Sequence, residues 1–302
     1  MSRFIEIVEV GPRDGLQNET AILKVEEKLA FIARLEAAGA RRIEAVSFVN
    51  PRRVPQMAGA EEVMAALPPK PLRGSRIGLV LNERGWDRCL ASGCDEANLV
   101  VCATDSFGIR NQGASTAEQV AAMHAIAASA KADPHAPPLS LTISVAFGCP
   151  FEGEVSLDKV VAIAREVEAA GIPELALADT IGVADPWTVR QRIEAVRAAA
   201  PSVRLRLHFH DTRRTGLANA FAGVEAGVDV LDASCGGIGG CPFAPNATGN
   251  IATEDLVYML ERGGFSTGLD LAALIDTAHW IGAKLGKPAP SALSRAGGFP
   301  AG

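Results

Sequence analysis

The sequence predicts an α/β protein, a (β/α)8 TIM barrel with an extra C-terminal helical segment. Short, β-branched apolar runs alternate with longer stretches of helical spacing, the pattern of repeated β-α units on a parallel sheet. Eight such units fit within about 260 residues, which favours a closed barrel over a doubly wound open sheet of the same alternation. Several strands begin just after an Ala-Gly or Ser-Gly helix end, where Gly39, Gly93, Gly171 and Gly227 supply a left-handed cap.

The first strand is FIEIVEV (4–10), followed by a helix over 22–39. RIEAV (42–46) precedes a helix at 58–67, and RIGLVL (76–81) precedes one at 83–92. EANLVV (96–101) leads to the helix 115–132, SLTISVAF (140–147) to 157–170, and ELALA (174–178) to 186–199. RLRLHFH (204–210) and VDVLDAS (228–234) complete the set, with helices at 216–226 and 254–263. A last helical segment at 269–286 and a Pro/Gly-rich tail close the chain.

With 302 residues, 48% of them hydrophobic and 21% charged, the chain suffices for one large domain spanning 1–302. A net charge of −6 leaves no basic footprint for nucleic acid, although the arginine pairs at 41–42, 52–53 and 213–214 could hold local anions. Six cysteines form no CxxC pair, as expected of reduced thiols rather than a disulfide framework. No apolar run approaches the ~20 residues needed to span a bilayer, and the N-terminus passes directly into the first strand. The expectation is a cytoplasmic protein without membrane partners.

In such barrels the chemistry sits where strands end. Strand one ends in GPRDGLQNE with Arg13, Asp14 and Gln17; strand two carries Glu44; strand six ends in Asp179, and strand seven in His208 and His210. Histidines two residues apart on a strand share a face, about 6.5–7 Å apart along it, so both could reach one ion. Asp14 offers a hard oxygen and Asn250, after the last strand, a neutral one. Strands one, seven and eight become neighbours when a barrel closes. Two nitrogens and two oxygens with open positions suit octahedral Mg²⁺ or Mn²⁺ better than closed tetrahedral Zn²⁺, with Zn²⁺, Co²⁺ or Fe²⁺ as substitutes in vitro.

The stretch SCGGIGGCPFAPNATGN holds four glycines in five residues, at 236, 237, 239 and 240. It reads as a loop able to close over a substrate and present Cys241, or as a turn around a small cysteine, or as a phosphate cradle. Cys89, Cys94, Cys102, His124, His135 and His279 read as structural or solvent-facing, and Cys149 lies in a loop, FGCPFEG, with no role that spacing assigns.

IVEVGPRDGLQNE, SFVNPRRVPQMA, FGCPFEG, DTIGVADP, HFHDT and GGIGGCPFAPNATGNIATEDLVYMLE together resemble the 3-hydroxy-3-methylglutaryl-CoA lyases, metal-dependent barrels named for an Asp-Arg-Glu motif. The likeness runs over residues 4–286. It implies a divalent metal on Asp14, His208, His210 and Asn250, a catalytic Arg13 and Cys241, and Glu44, Asp179 and Gln17 in support. It also implies a CoA thioester substrate, cut between C2 and C3 in a retro-Claisen step. In that step Arg13 stabilises the thioester enolate and Cys241 protonates its carbon or relays a proton. Asp179 or His208 takes the hydroxyl proton, and Glu44 acts in catalysis or only as partner of the arginine. CoA-binding candidates lie on the loops after strands one to four, among them Gln17 and Asn111, and a homodimer is implied.

One departure from the family pattern follows His210-Asp211-Thr212. Many of these lyases continue with Tyr-Gly-Gln, whereas this chain has Arg213 and Arg214. Two adjacent cations near the mouth could bind a further carboxylate, neutralise the CoA phosphates or form surface ion pairs, and they suggest that the C3 substituent, or how it is held, differs from methylglutaryl. 3-Hydroxy-3-methylglutaryl-CoA is the first expectation, with citramalyl-CoA and longer-branched 3-hydroxyglutaryl-CoAs as alternatives. Claisen-condensing synthases of the same superfamily share the Asp-Arg start and the HxH pair but commonly carry long C-terminal extensions. Hydrolytic barrels place HxH on the first strand, and a non-catalytic metal scaffold would tolerate Cys241→Ser.

Overall fold

A computed structural model of the chain describes residues 2–68, 74–240 and 249–299. Its centre is a closed barrel of strands β1 (Glu6–Glu9), β2 (Arg42–Ser47), β3 (Ser75–Val80), β4 (Glu96–Cys102), β5 (Leu139–Ser144), β6 (Glu174–Asp179), β7 (Arg204–Phe209) and β8 (Val230–Ala233). Each strand pairs in parallel with its sequence neighbours, and β1 closes on β8 through pairs such as Val8 with Asp232.

The helices are α1 (Val25–Ala37), α2 (Ala60–Ala66), α3 (Glu83–Ser92), α4 (Asp105–Asn111), α5 (Thr116–Ala132), α6 (Leu157–Ala170), α7 (Pro186–Ala199), α8 (Gly216–Glu225), α9 (Thr253–Arg262), α10 (Leu271–Leu285) and α11 (Leu293–Ala296). Their starts are specified locally. Asn82, Ser115, Asp185 and Asp270 each accept a hydrogen bond from a backbone N–H of the first turn. At Gly39 the backbone takes φ 97°, and an added Cβ would lie 2.6 Å from the Gly268 carbonyl oxygen. Only glycine fits there.

Residues such as Leu141, Ile143, Leu207 and Phe31 are fully buried in the core. At the N-terminal end of the barrel, where strands begin, Arg42 donates to Glu96 at 2.7 Å and Glu174 at 2.8 Å. This paired charge layer closes the bottom, and the opposite mouth carries the cavity. Helix α10 packs on α1 and on the turn Cys235–Gly237, so the additional segment ties the last unit to the first.

Three segments differ from the sequence expectation. GPRDG coils into a π-helical turn, Gly11–Gly15. Gly148–Cys149 and Gly153–Glu154 form a small antiparallel hairpin. Helix α4 occupies a stretch read as loop: its seven residues carry a glycine and no apolar stripe, and tertiary contact holds them, with Phe107 2% exposed and Gly108 pressed against Gln119. Among the described residues no helix is long and apolar enough to cross a membrane.

Candidate active site

The loops at the C-terminal mouth surround a cavity of about 810 Å³. Its floor is built from the first and last strands. The π-helical turn after β1 carries Arg13 and Asp14 side by side, and Gly15 lets that turn sit against β8, since a Cβ there would be 2.7 Å from Ser234 Oγ. Arg13 Nε donates to Glu44 Oε2 at 2.6 Å, and its Nη1 donates to Asp14 Oδ1 at 2.5 Å. Glu44 is 2% exposed, does not line the cavity, and also accepts from Asn98 Nδ2 at 3.0 Å. It braces the arginine.

His208 and His210 project from the end of β7 with ring centroids 5.1 Å apart. Both aim Nε2 at Asp14 Oδ2, at 3.9 Å and 3.7 Å. One ligand atom from each of the three residues lies within 4.8 Å of the others. Burial by itself raises the Asp14 carboxyl, but Arg13 and the two histidines outweigh it and hold the group well below the carboxylate range.

Asn250 arrives beside His210 through an antiparallel bridge. Its Nδ2 donates to Asp14 Oδ2 at 2.9 Å and to the Ile238 carbonyl at 3.2 Å, whereas its buried Oδ1 has no partner. Two imidazole nitrogens and a carboxylate oxygen converging on one point, with the amide of Asn250 beside them and its oxygen unpaired, fit a divalent cation. Gln17 lines the cavity with its Oε1 also unpartnered, and Asn111 lines the wall opposite β1.

Three further residues that the sequence singled out lie outside the cavity lining. Asp179 is fully buried and outside the cavity lining; its two oxygens accept the backbone N–H groups of Val183 and Ala184 at 2.9 Å each, so it fastens the loop after β6. Burial pushes its carboxyl upward. Arg213 and Arg214 do not line the cavity either, and for Arg214 the structure agrees with the surface-ion-pair alternative. Arg213 Nη1 donates to the carbonyls of Ile181 and Gly182 at 3.1 Å and 2.8 Å, and Arg214 pairs with Asp211 at 3.1 Å on the surface. Cys241 lies outside the described residues; Gly240, just before it, lines the cavity.

Sequence reasoning missed several residues. Asp232 on β8 and Thr142 and Ser144 on β5 line the cavity, and Arg206 lies beneath it. Alternation along RLRLHFH does put Arg206 on the face of His208 and His210, a signal that was available. Cys149 accepts hydrogen bonds from Thr104 Oγ1 at 3.1 Å and Phe151 N at 3.5 Å, so it ties the start of α4 to the hairpin.

The HMGL-like family model matches residues 4–281, and the chain belongs to that family of carbon–carbon lyases. It is 42% identical to the (R)-citramalyl-CoA lyase of Chloroflexus aurantiacus, over 97% of this chain and 95% of that protein. It is 40% identical to the 3-hydroxy-3-isohexenylglutaryl-CoA/hydroxy-methylglutaryl-CoA lyase of Pseudomonas aeruginosa, over 98% of each. A solved HMG-CoA lyase from Acinetobacter baumannii, in complex with coenzyme A and 3-methylmalate, superposes with a TM-score of 0.93 at 37% identity, covering 99% of this chain and 96% of that one.

Proposed function

We propose that this protein, working as one barrel unit over residues 1–302, is a divalent-metal-dependent lyase that cleaves 3-hydroxy-3-methylglutaryl-CoA to acetyl-CoA and acetoacetate. The observation that carries this reading is the convergence of Asp14, His208 and His210 beside Arg13 on the cavity floor.

Asp14, His208, His210 and Asn250 would hold the ion, which supplies a lowered pKa and a fixed orientation for the substrate hydroxyl. The hydroxyl loses its proton, C3 becomes a ketone, the C2–C3 bond breaks, and its electron pair passes into the thioester enolate. Arg13, clamped by Glu44 and always charged, stabilises that enolate. Cys241 is assigned to protonate the enolate carbon, giving the acetyl methyl group. Neither residue considered for the hydroxyl proton is free to take it once the ion is bound: His208 would hold the ion through Nε2 with its Nδ1 against Asp232, and both Asp179 oxygens already accept backbone N–H groups.

The CoA portion has a matching rim. Arg52, Arg53 and Arg84 line the cavity, and their guanidinium groups have no anionic partner among the described residues. Unpaired cations at the mouth suit the phosphates of CoA, and Gln17 and Asn111 offer amides along the path. A second reading, cleavage of citramalyl-CoA to acetyl-CoA and pyruvate, is favoured by the 42% identity to the Chloroflexus enzyme.

The test is turnover of metal-stripped protein with each substrate, with and without Mg²⁺ or Mn²⁺, following acetoacetate, pyruvate and acetyl-CoA separately. Metal-dependent acetoacetate release is the expected result. Pyruvate alone moves the substrate to citramalyl-CoA, and no acetyl-CoA from either overturns the lyase reading for both.

A further inference from the structure

Below the cavity floor, polar side chains on neighbouring strands meet in a way that the proposed chemistry does not use. Strand register puts Asp232 of β8 level with His208 of β7, and Val230 level with Arg206. Residues two apart share a face, so Arg206 and His208 both point inward toward Asp232. Asp232 Oδ2 lies 3.3 Å from His208 Nδ1, and its Oδ1 lies 3.4 Å from Arg206 Nε. Arg206, 1% exposed, also lies 3.3 Å from Glu174 and donates from Nη2 to Thr142 Oγ1 at 3.4 Å. Asp232 is therefore held from behind by a buried guanidinium and cannot swing forward without leaving that cation.

A carboxylate beside a guanidinium only accepts hydrogen bonds, so the proton it shares with His208 comes from the imidazole. Nδ1–H donates to Asp232, and Nε2 keeps its lone pair on the side facing Asp14. His210 has no such support, because its Nδ1 is buried without a partner. The two histidines of the pair are thus unequal.

We propose that Asp232, backed by Arg206, is the positioning residue of this site: it holds His208 in the Nδ1–H tautomer and thereby sets the affinity for a divalent cation. The inference rests on the metal reading above. Its test is titration of metal-stripped protein with Co²⁺, followed by visible absorption and by calorimetry, in the parent, Asp232→Asn, Asp232→Ala and the conservative Asp232→Glu.

The expected result is a 10–100-fold weaker Co²⁺ affinity in Asp232→Ala, an intermediate loss in Asp232→Asn, and partial recovery in Asp232→Glu. At saturating metal kcat returns to within a few-fold of the parent while the metal concentration for half-activity stays raised, a separation that mere unfolding does not produce. Asp232→Asn keeps the volume and one acceptor oxygen, so it carries the titration if the alanine variant fails to fold. Affinities within threefold of the parent in every folded variant overturn the positioning role and leave the metal reading intact. A parent that binds no Co²⁺ overturns both.

Discussion

At the scale of single residues, the site depends on what each side chain is tied to. Arg13 spends its Nε and Nη2 on Glu44 and its Nη1 on Asp14, which fixes the plane of the guanidinium at the edge of the cavity that it lines. A lysine keeps the charge but not the fork, so it cannot satisfy both carboxylates and an enolate together. Arg13→Lys is therefore expected to lower kcat by about 10²–10³-fold with little change in KM. Steady-state kinetics on the cleaved substrate decide it, and a kcat within threefold of the parent would remove Arg13 from the transition state.

At the scale of elements, the base of the glycine-rich loop is pinned by two buried carboxylates. Glu9 Oε1 accepts from Gly11 N at 2.7 Å and Cys235 N at 2.9 Å, and its Oε2 accepts from Thr253 Oγ1 at 2.6 Å. Glu254 accepts from Gly236 N at 3.1 Å and 3.0 Å. These bonds link the turn that carries Arg13 and Asp14 to the segment leading toward Cys241. Burial, only partly offset by these hydrogen bonds, pushes both carboxyls up to about 7.

Folding therefore favours protonation of these groups between pH 4.5 and about 7, and their contribution to stability is lost as pH rises through that window and is level above it. Glu9→Gln keeps the acceptor for the two backbone N–H groups and never ionises. Its stability relative to the parent should rise by roughly 2–3 kcal/mol from pH 5 to pH 8. Urea midpoints for both proteins across that range measure the difference, and parallel curves would show that Glu9 does not titrate there.

At the scale of the whole molecule, the candidate ligands come from the first, seventh and last β-α units, so a bound cation would bridge the point where the barrel closes. Binding to the folded state alone stabilises it by mass action. Mn²⁺ at 100 times its Kd should add about 2.7 kcal/mol, a rise in melting temperature of roughly 3–6 °C for a chain of this size. The shift should vanish in Asp14→Asn. An equal shift in both proteins, read by thermal denaturation, would place the binding elsewhere.

The local signals in the chain determined much of this. The alternation of runs, the glycines after helices and the two-residue spacing of His208 and His210 act over a few residues, and the barrel order follows from their repetition. The GPRDG and HFHDT motifs likewise announce where polar groups gather. What lies across from what was settled only by tertiary structure. Asp232 meets His208 because β7 and β8 pair in one register; Asp179, at the end of a strand that otherwise looked catalytic, turns its oxygens onto the N–H groups of the next loop. Arg213 likewise folds onto two carbonyls instead of facing substrate, and α4 forms where its own residues carry no helical stripe. Periodicity and capping are written in near neighbours along the chain, whereas strand register and the satisfaction of buried polar groups depend on residues tens or hundreds of positions away that meet only when the barrel closes.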